Sequence, residues 1–264
     1  MWTFLKEHYL MRRQLLYLAK TDLVKTYRGA VLGWTWALVQ PLTFIFVYWF
    51  VFHIGWSVDR SQDGVDFFTW LVVGLIAWFF MSDMLGAGTN CFKSYSYLVT
   101  KMSFPISTIP TFVAVSKLLI HVGLLAVLLI YLALEGDVSI YWLQLPFYMA
   151  LMAGFFIVWS LFAAPLAAIS KDFANAVRAL VRILFWMSGI LWSIDRIHNH
   201  VIRDVFMVNP ITFFAEGYRQ TLFGHTWFFE EPKRMLIFAG VFLIMIGLAY
   251  VTFKRARKEI VDVL

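Results

Sequence analysis

Hydrophobic positions in this chain fall in runs of membrane length, and the charged positions gather in short clusters between them. No Asp, Glu, Lys or Arg stands between Arg28 and Asp59, from Val138 to Ser170, or from Met235 to Phe253. A helix needs about 20 apolar residues to cross a hydrocarbon core about 30 Å thick, and each run suffices. The pattern predicts an all-α membrane protein with six spans, at about 33–56, 67–92, 105–134, 141–170, 173–194 and 235–253.

Two other segments have patterns of their own. Within about residues 1–30, Phe4, Met11, Leu15 and Leu18 share one helical face, while Lys6, Arg13 and Lys20 recur every seven residues on the opposite one. That predicts an amphipathic helix lying at the membrane surface, its cations free for anionic headgroups or for a partner. Residues of about 31–264 would then form a single six-span transmembrane domain. Between the fifth and sixth spans, about 195–232 is too apolar for a plain loop, since it contains Ile211, Phe213, Phe214, Tyr218, Leu222 and Phe223. Short re-entrant helices dipping into one leaflet are expected there, their backbone groups satisfied by neighbouring protein.

Lys and Arg positions orient the chain. Six precede the first span (Lys6, Arg12, Arg13, Lys20, Lys25, Arg28) and four follow the last (Lys254, Arg255, Arg257, Lys258). Lys93 and Lys101 lie between the second and third spans, and Lys171, Arg178 and Arg182 mark the start of the fifth, making fifteen on one side. The other side carries Arg60, Arg196, Arg203, Arg219, Lys233 and Arg234, which is six, and Lys117 falls within the third span. Both termini are therefore expected in the cytoplasm, and an even number of spans agrees.

Composition narrows the picture further. Hydrophobic residues make up 61% of 264 and charged residues only 14%, against about 25% in soluble domains. The excess of +6 answers to the membrane rather than to a nucleic acid. A lone cysteine, Cys91, excludes an intrachain disulfide and any cysteine-based metal cluster. Lys6, Glu7, Arg12, Arg13 and Lys20 break up any secretory-signal core at the N-terminus.

Catalytic constellations are missing from the sequence. It has no G-x-x-x-x-G-K-[ST] phosphate loop, no H-E-x-x-H and no G-x-S-x-G, and its six histidines are scattered. Energy for any transport must come from another polypeptide or from an ion gradient. Intramembrane charges are costly and are read first as functional. Arg178 and Arg182 share a helix face near the inner end of the fifth span, where they either line a vestibule for an anionic substrate or snorkel to the interface. Asp83 and Lys117 either pair across the second and third spans or sit at helix ends, and Glu216 and Arg219, three residues apart, would form a local ion pair. Aromatic residues crowd the first two spans, among them Phe44, Tyr48, Phe52 and Trp78; they form interfacial belts or a wall on which sugar rings stack.

Several stretches together resemble one family. Tyr27-Arg28, then Leu32-Gly33, Trp36 and Pro41, is similar to the start of the first span in type-2 ABC exporter permeases of the polysaccharide and teichoic acid (polyol phosphate) branch. Lys101-Met102-Ser103-Phe104-Pro105 resembles that branch's approach to the third span, and Phe185-Trp186 with Ser188 and Ile190-Leu191 its fifth. Asn209-Pro210, Phe214, Glu216, Tyr218-Arg219 and Leu222-Phe223-Gly224 resemble its outer re-entrant motif. The likeness covers nearly the whole chain in order. One departure is Gly189, where the family pattern leads one to expect proline.

The resemblance implies a homodimer in a bacterial plasma membrane, bound on its cytoplasmic side by two copies of a separate ATPase that holds the ATP and Mg; this chain needs no cofactor of its own. A coupling helix at about 94–102 (Ser94, Tyr95, Ser96, Tyr97, Lys101, Met102) would seat in the ATPase. A lipid-linked polymer, whether teichoic acid, O-antigen or capsule, would pass Arg178, Arg182, Phe44, Tyr48, Phe52 and Trp186. Asn209, Pro210, Phe214, Glu216, Tyr218 and Arg219 would form the outer gate. The two arginines incline the cargo toward a phosphate-rich chain. Rival readings are an ABC exporter of a drug or small lipid, a membrane-embedded enzyme acting on lipid-linked sugars, and an ion channel or carrier.

Overall fold

The computed structural model describes residues 2–55, 65–100 and 104–263, and among these no strand is formed. Eleven α-helices are described: α1 (Trp2–Thr26), α2 (Trp36–Trp49), α3 (Phe67–Asp83), α4 (Thr89–Ser94), α5 (Ser96–Thr100), α6 (Ile109–Glu135), α7 (Leu145–Ile169), α8 (Lys171–Met187), α9 (His200–Val208), α10 (Pro210–Arg219) and α11 (Pro232–Val263). Five helical stretches among them are long and apolar enough to cross a membrane: Gly33–Gly55, Phe67–Thr100, Ile106–Glu135, Ile140–Ile169 and Pro232–Ala256.

Local chemistry sets the helix ends. Asp66 caps α3 by accepting from the amides of Phe68 and Thr69 at 2.9 and 3.2 Å, and Ser170 caps α8 through the amide of Phe173. Gly136, at φ 90°, ends α6 in the left-handed conformation that favours glycine. At 1.5 Å per residue the 32 residues of α11 span about 48 Å, so this helix outlasts the bilayer and carries Lys254 and Arg255 beyond it.

The expected fifth span differs most from the sequence reading. Its helix stops at Met187 rather than about residue 194 and has 17 residues, about 25 Å, which is short of a full crossing. The stop lies at Gly189, whose φ of +65° is closed to proline, because the pyrrolidine ring fixes φ near −65°. The departure from the family pattern at 189 thus has a backbone reason. A Cβ at 189 would also meet Ile194 Cγ1 at 2.8 Å.

Packing centres on α3, which buries 13 of its 17 residues against α6 and α10. Helix α7 runs beside α11 and α4, and buried Cys91 of α4 lies in this core. Helix α1 lies along α6 on the face of Met11, Leu15, Leu18 and Ala19, while Lys6, Arg13 and Lys20 face outward as expected. Two polar contacts fix its start: the Ser107 hydroxyl meets the Glu7 carboxylate, and His8 Nε2 lies 2.7 Å from the Thr111 hydroxyl. The outward face is not purely cationic, since Tyr9, Leu10, Leu16 and Tyr17 are exposed with the lysines and arginines.

Candidate functional site

A cavity of about 720 Å³ opens between α2, α3, α6 and α8. One side is aromatic, with Phe44 and Tyr48 from α2, Trp78 and Phe79 from α3, and Phe185 and Trp186 from α8. Tyr48 and Trp78 both approach the Phe185 ring, at centroid distances of 5.8 and 5.3 Å, so one ring joins three helices. Another side is polar and holds Tyr27, Gln40, Asp83, Lys117 and Arg182. Burial pushes the Tyr27 hydroxyl above its ordinary value, and the nearby Lys117 ammonium opposes that shift.

Four of the six residues assigned to the substrate path line this cavity: Arg182, Phe44, Tyr48 and Trp186. Arg178 and Phe52 lie outside it. Arg178 is exposed one turn before Arg182 on α8. Phe52 packs between Tyr48, 6.3 Å away, and Phe67, 5.4 Å away, in the π-helical turn Phe50–Gly55 that follows α2. The expected Asp83–Lys117 pair is present at 3.6 Å. Sequence reasoning found that pair without placing it in the cavity, because neither residue is near α8 in the chain.

The segment read as a coupling helix is two short helices broken at Tyr95. Ser94 and Tyr97 reach the surface, Ser96 is half-buried, and Lys101 and Met102 lie outside the described residues. Tyr95 is buried. Its hydroxyl donates to the Asp22 carboxylate of α1, its ring meets Phe112 of α6 edge-on at 4.8 Å, and Lys25 sits over both tyrosine rings, at 5.0 Å from Tyr95 and 5.8 Å from Tyr97. Tyr95 therefore ties α1 to the α4–α5 connection, a role that only the fold reveals.

The segment assigned to the gate is anchored more firmly than a surface gate suggests. Eight of the ten residues of α10 are buried. Asn209 caps the helix through the Ile211 amide at 3.0 Å, donates to the Ser188 hydroxyl at 2.8 Å, and is followed by Pro210 in the first turn. Phe214 is enclosed by Phe155, Phe156 and Phe238. Tyr218 donates to Nε2 of buried His121 at 2.8 Å, and the other ring nitrogen lies 3.2 Å from the Ile76 carbonyl, which makes it the protonated one. Arg219 pairs with Glu216 at 2.6 Å, as the spacing predicts. It also donates to the Gly189 and Ile190 carbonyls, each at 2.8 Å, and lies 3.3 Å over the Trp70 ring. Gly74 leaves it room, since a Cβ there would lie 2.5 Å from Arg219 Nη2. None of the six residues assigned to the gate lines the cavity, although His121 both lines it and holds Tyr218.

Comparison with known proteins assigns the family. The model of the ABC-2 type transporter matches residues 13–223, most of the chain. The chain belongs to the ABC-2 type transporter family. Among similar proteins is the O-antigen export system permease protein RfbA of Myxococcus xanthus, 24% identical over 259 residues that cover 97% of each chain. A Klebsiella pneumoniae protein of the same name is 22% identical over 252 residues, covering 95% of this chain and 94% of its own. A second from Klebsiella pneumoniae is 23% identical over the same length. As an ABC-2 permease, the chain is a multi-pass membrane protein of transport rather than of catalysis.

Proposed function

We propose that this ABC-2 permease is the membrane subunit of an ATP-driven exporter that moves a lipid-linked cell-surface polymer outward. The carrying observation is the match to three O-antigen export permeases over nearly the full length of both chains. Of the polymer classes expected from the sequence, these relatives favour an O-antigen-like glycan over a phosphate-rich chain. The cavity supports this reading, because aromatic faces stack sugar rings and Arg182 meets oxyanions.

The working unit is a homodimer with two ATPase subunits in a bacterial plasma membrane. Each subunit has six crossings and both termini in the cytoplasm, α8 and the residues after Gly189 together serving as the fifth. ATP and Mg act in the partner, whose closure drives the α4–α5 connection. Ser94 and Tyr97 present the contact surface, and Tyr95 passes displacement to α1. The polymer moves past Phe44, Tyr48 and Trp186, with its phosphate near Arg182. The Asn209–Arg219 segment yields at the outer end by moving with its anchors.

The test is ATP-dependent transfer of a lipid-linked glycan by the complex of this chain with its ATPase in vesicles. Transfer of a drug or small lipid in place of the glycan overturns the cargo. Arg178→Gln with Arg182→Gln lowers export in a complex that assembles normally, and unchanged export removes both from the path. Tyr95→Ala with Tyr97→Ala leaves ATP hydrolysis but uncouples it from export.

A further inference from the structure

One ion pair in the cavity has no task in the transport scheme. Lys117 of α6 has 12% of its side chain exposed, while Asp83 of α3, its partner, is 51% exposed. The cation is the inner member and the carboxylate the outer. Their separation of 3.6 Å exceeds the roughly 2.7–2.9 Å of a charge-assisted hydrogen bond. An ammonium has three donors, and one carboxylate oxygen at that range leaves capacity on Lys117. Arg182, a planar fork suited to oxyanions, lines the same void from the opposite helix.

A purely structural pair inside a membrane is best closed and buried on both sides, because an uncompensated charge there is costly. Here the geometry is half open. Asp83 keeps Lys117 compensated when the cavity is empty, and its half-exposed side chain has room to be displaced. The hydroxyl of Tyr27 adds a neutral donor at the same end. Beyond this polar end the walls are Phe44, Trp78 and Phe185, which suit a ligand with an apolar body.

We infer that Lys117, masked by Asp83 and flanked by Arg182, is a binding site for the phosphate of a lipid headgroup, with Asp83 as a built-in competitor that the phosphate displaces. The inference rests on the transport reading only in treating the cavity as part of the cargo's path. It assigns Lys117 a direct contact and Asp83 an opposing one.

The sign of each effect tests it. The complex with its ATPase is placed in nanodiscs of zwitterionic lipid, and binding of a polyprenyl diphosphate is measured directly. Lys117→Gln weakens binding about tenfold, the scale of one charged hydrogen bond. Asp83→Asn removes the competitor and tightens binding by a similar factor. A structural pair predicts loss in both variants, so weaker or unchanged binding by Asp83→Asn overturns the proposal. Should Lys117→Gln fail to assemble, Asp83→Asn decides alone, and Lys117→Arg retains binding. Two further arms separate the ligand sources. Uncharged polyprenol binds no differently across the variants, and inorganic pyrophosphate that binds as tightly as the lipid would show a soluble-anion site and overturn the headgroup assignment. Binding is read without export, so a complex that binds the diphosphate lipid but exports no glycan refutes the exporter reading while leaving this one standing.

Discussion

The first two membrane-length helices have similar aromatic and aliphatic content and opposite surroundings. In the stretch beginning at Phe67, 72% of the most apolar window is buried inside the protein, against 6% in Gly33–Gly55. Helix α3 is enclosed by α6 and α10, whereas α2 leaves Leu42, Phe44, Phe46 and Val47 exposed. Lipid is as apolar as a protein core, so hydrophobicity alone cannot say which helix is inside. The difference teaches where substitutions act: in α3 on the fold, in α2 on what the fold encloses or meets.

The sharpest way to break that contrast is at Arg219, which fastens α10 to α3. Arg219→Gln leaves Glu216 and two carbonyls without their donor, a loss of about 3–5 kcal/mol. Thermal unfolding in detergent should show most of the protein lost or aggregated, and Arg219→Lys should recover little, lacking the fork that reaches Gly189 and Ile190 together. Next comes a direct pairing of the two helices. Trp70→Ala in α3 removes a fully buried ring and lowers stability by about 3–5 kcal/mol. Phe44→Ala in α2 changes stability by under about 1 kcal/mol and instead reduces export by the assembled complex. Equal unfolding temperatures for the two variants would erase the distinction.

A smaller effect is expected at the connection that continues from α3. Tyr95→Phe keeps the ring against Phe112 but leaves buried Asp22 without its donor, at about 1–3 kcal/mol. The ratio of polymer exported to ATP hydrolysed should fall, and Tyr97→Phe, which keeps the exposed ring, should leave that ratio unchanged. Smallest is Lys233→Ala, which breaks the exposed pair with Asp204 and shifts stability by under about 1 kcal/mol.

Much of this was legible in the chain because it depends on local pattern. Membrane-length runs located the spanning helices, Asn209-Pro210 located the start of α10, and spacing alone paired Glu216 with Arg219. Contacts that depend on distant backbone were not. Arg219 donates to carbonyls about thirty residues earlier, at Gly189 and Ile190, and every residue has a carbonyl, so no residue type signals that bond. Tyr95 reads as a surface aromatic beside Tyr97 until α1 folds back and supplies Asp22. The early end of α8 hinges on one glycine whose left-handed backbone leaves the hydrophobic pattern unchanged. Of the residues assigned to the path, helical spacing grouped Arg178 with Arg182, but only Arg182 lines the cavity.

Cys91, 1% exposed within the packed core, is the only thiol in the chain. A maleimide reagent added to the folded protein therefore meets an effectively cysteine-free surface. Single cysteines introduced at exposed Phe46, Tyr97 or Val205 would each accept a spin label or fluorophore with the native sulfur left in place. The opening and closing of the transporter can then be followed as distances between such labels in otherwise unaltered protein.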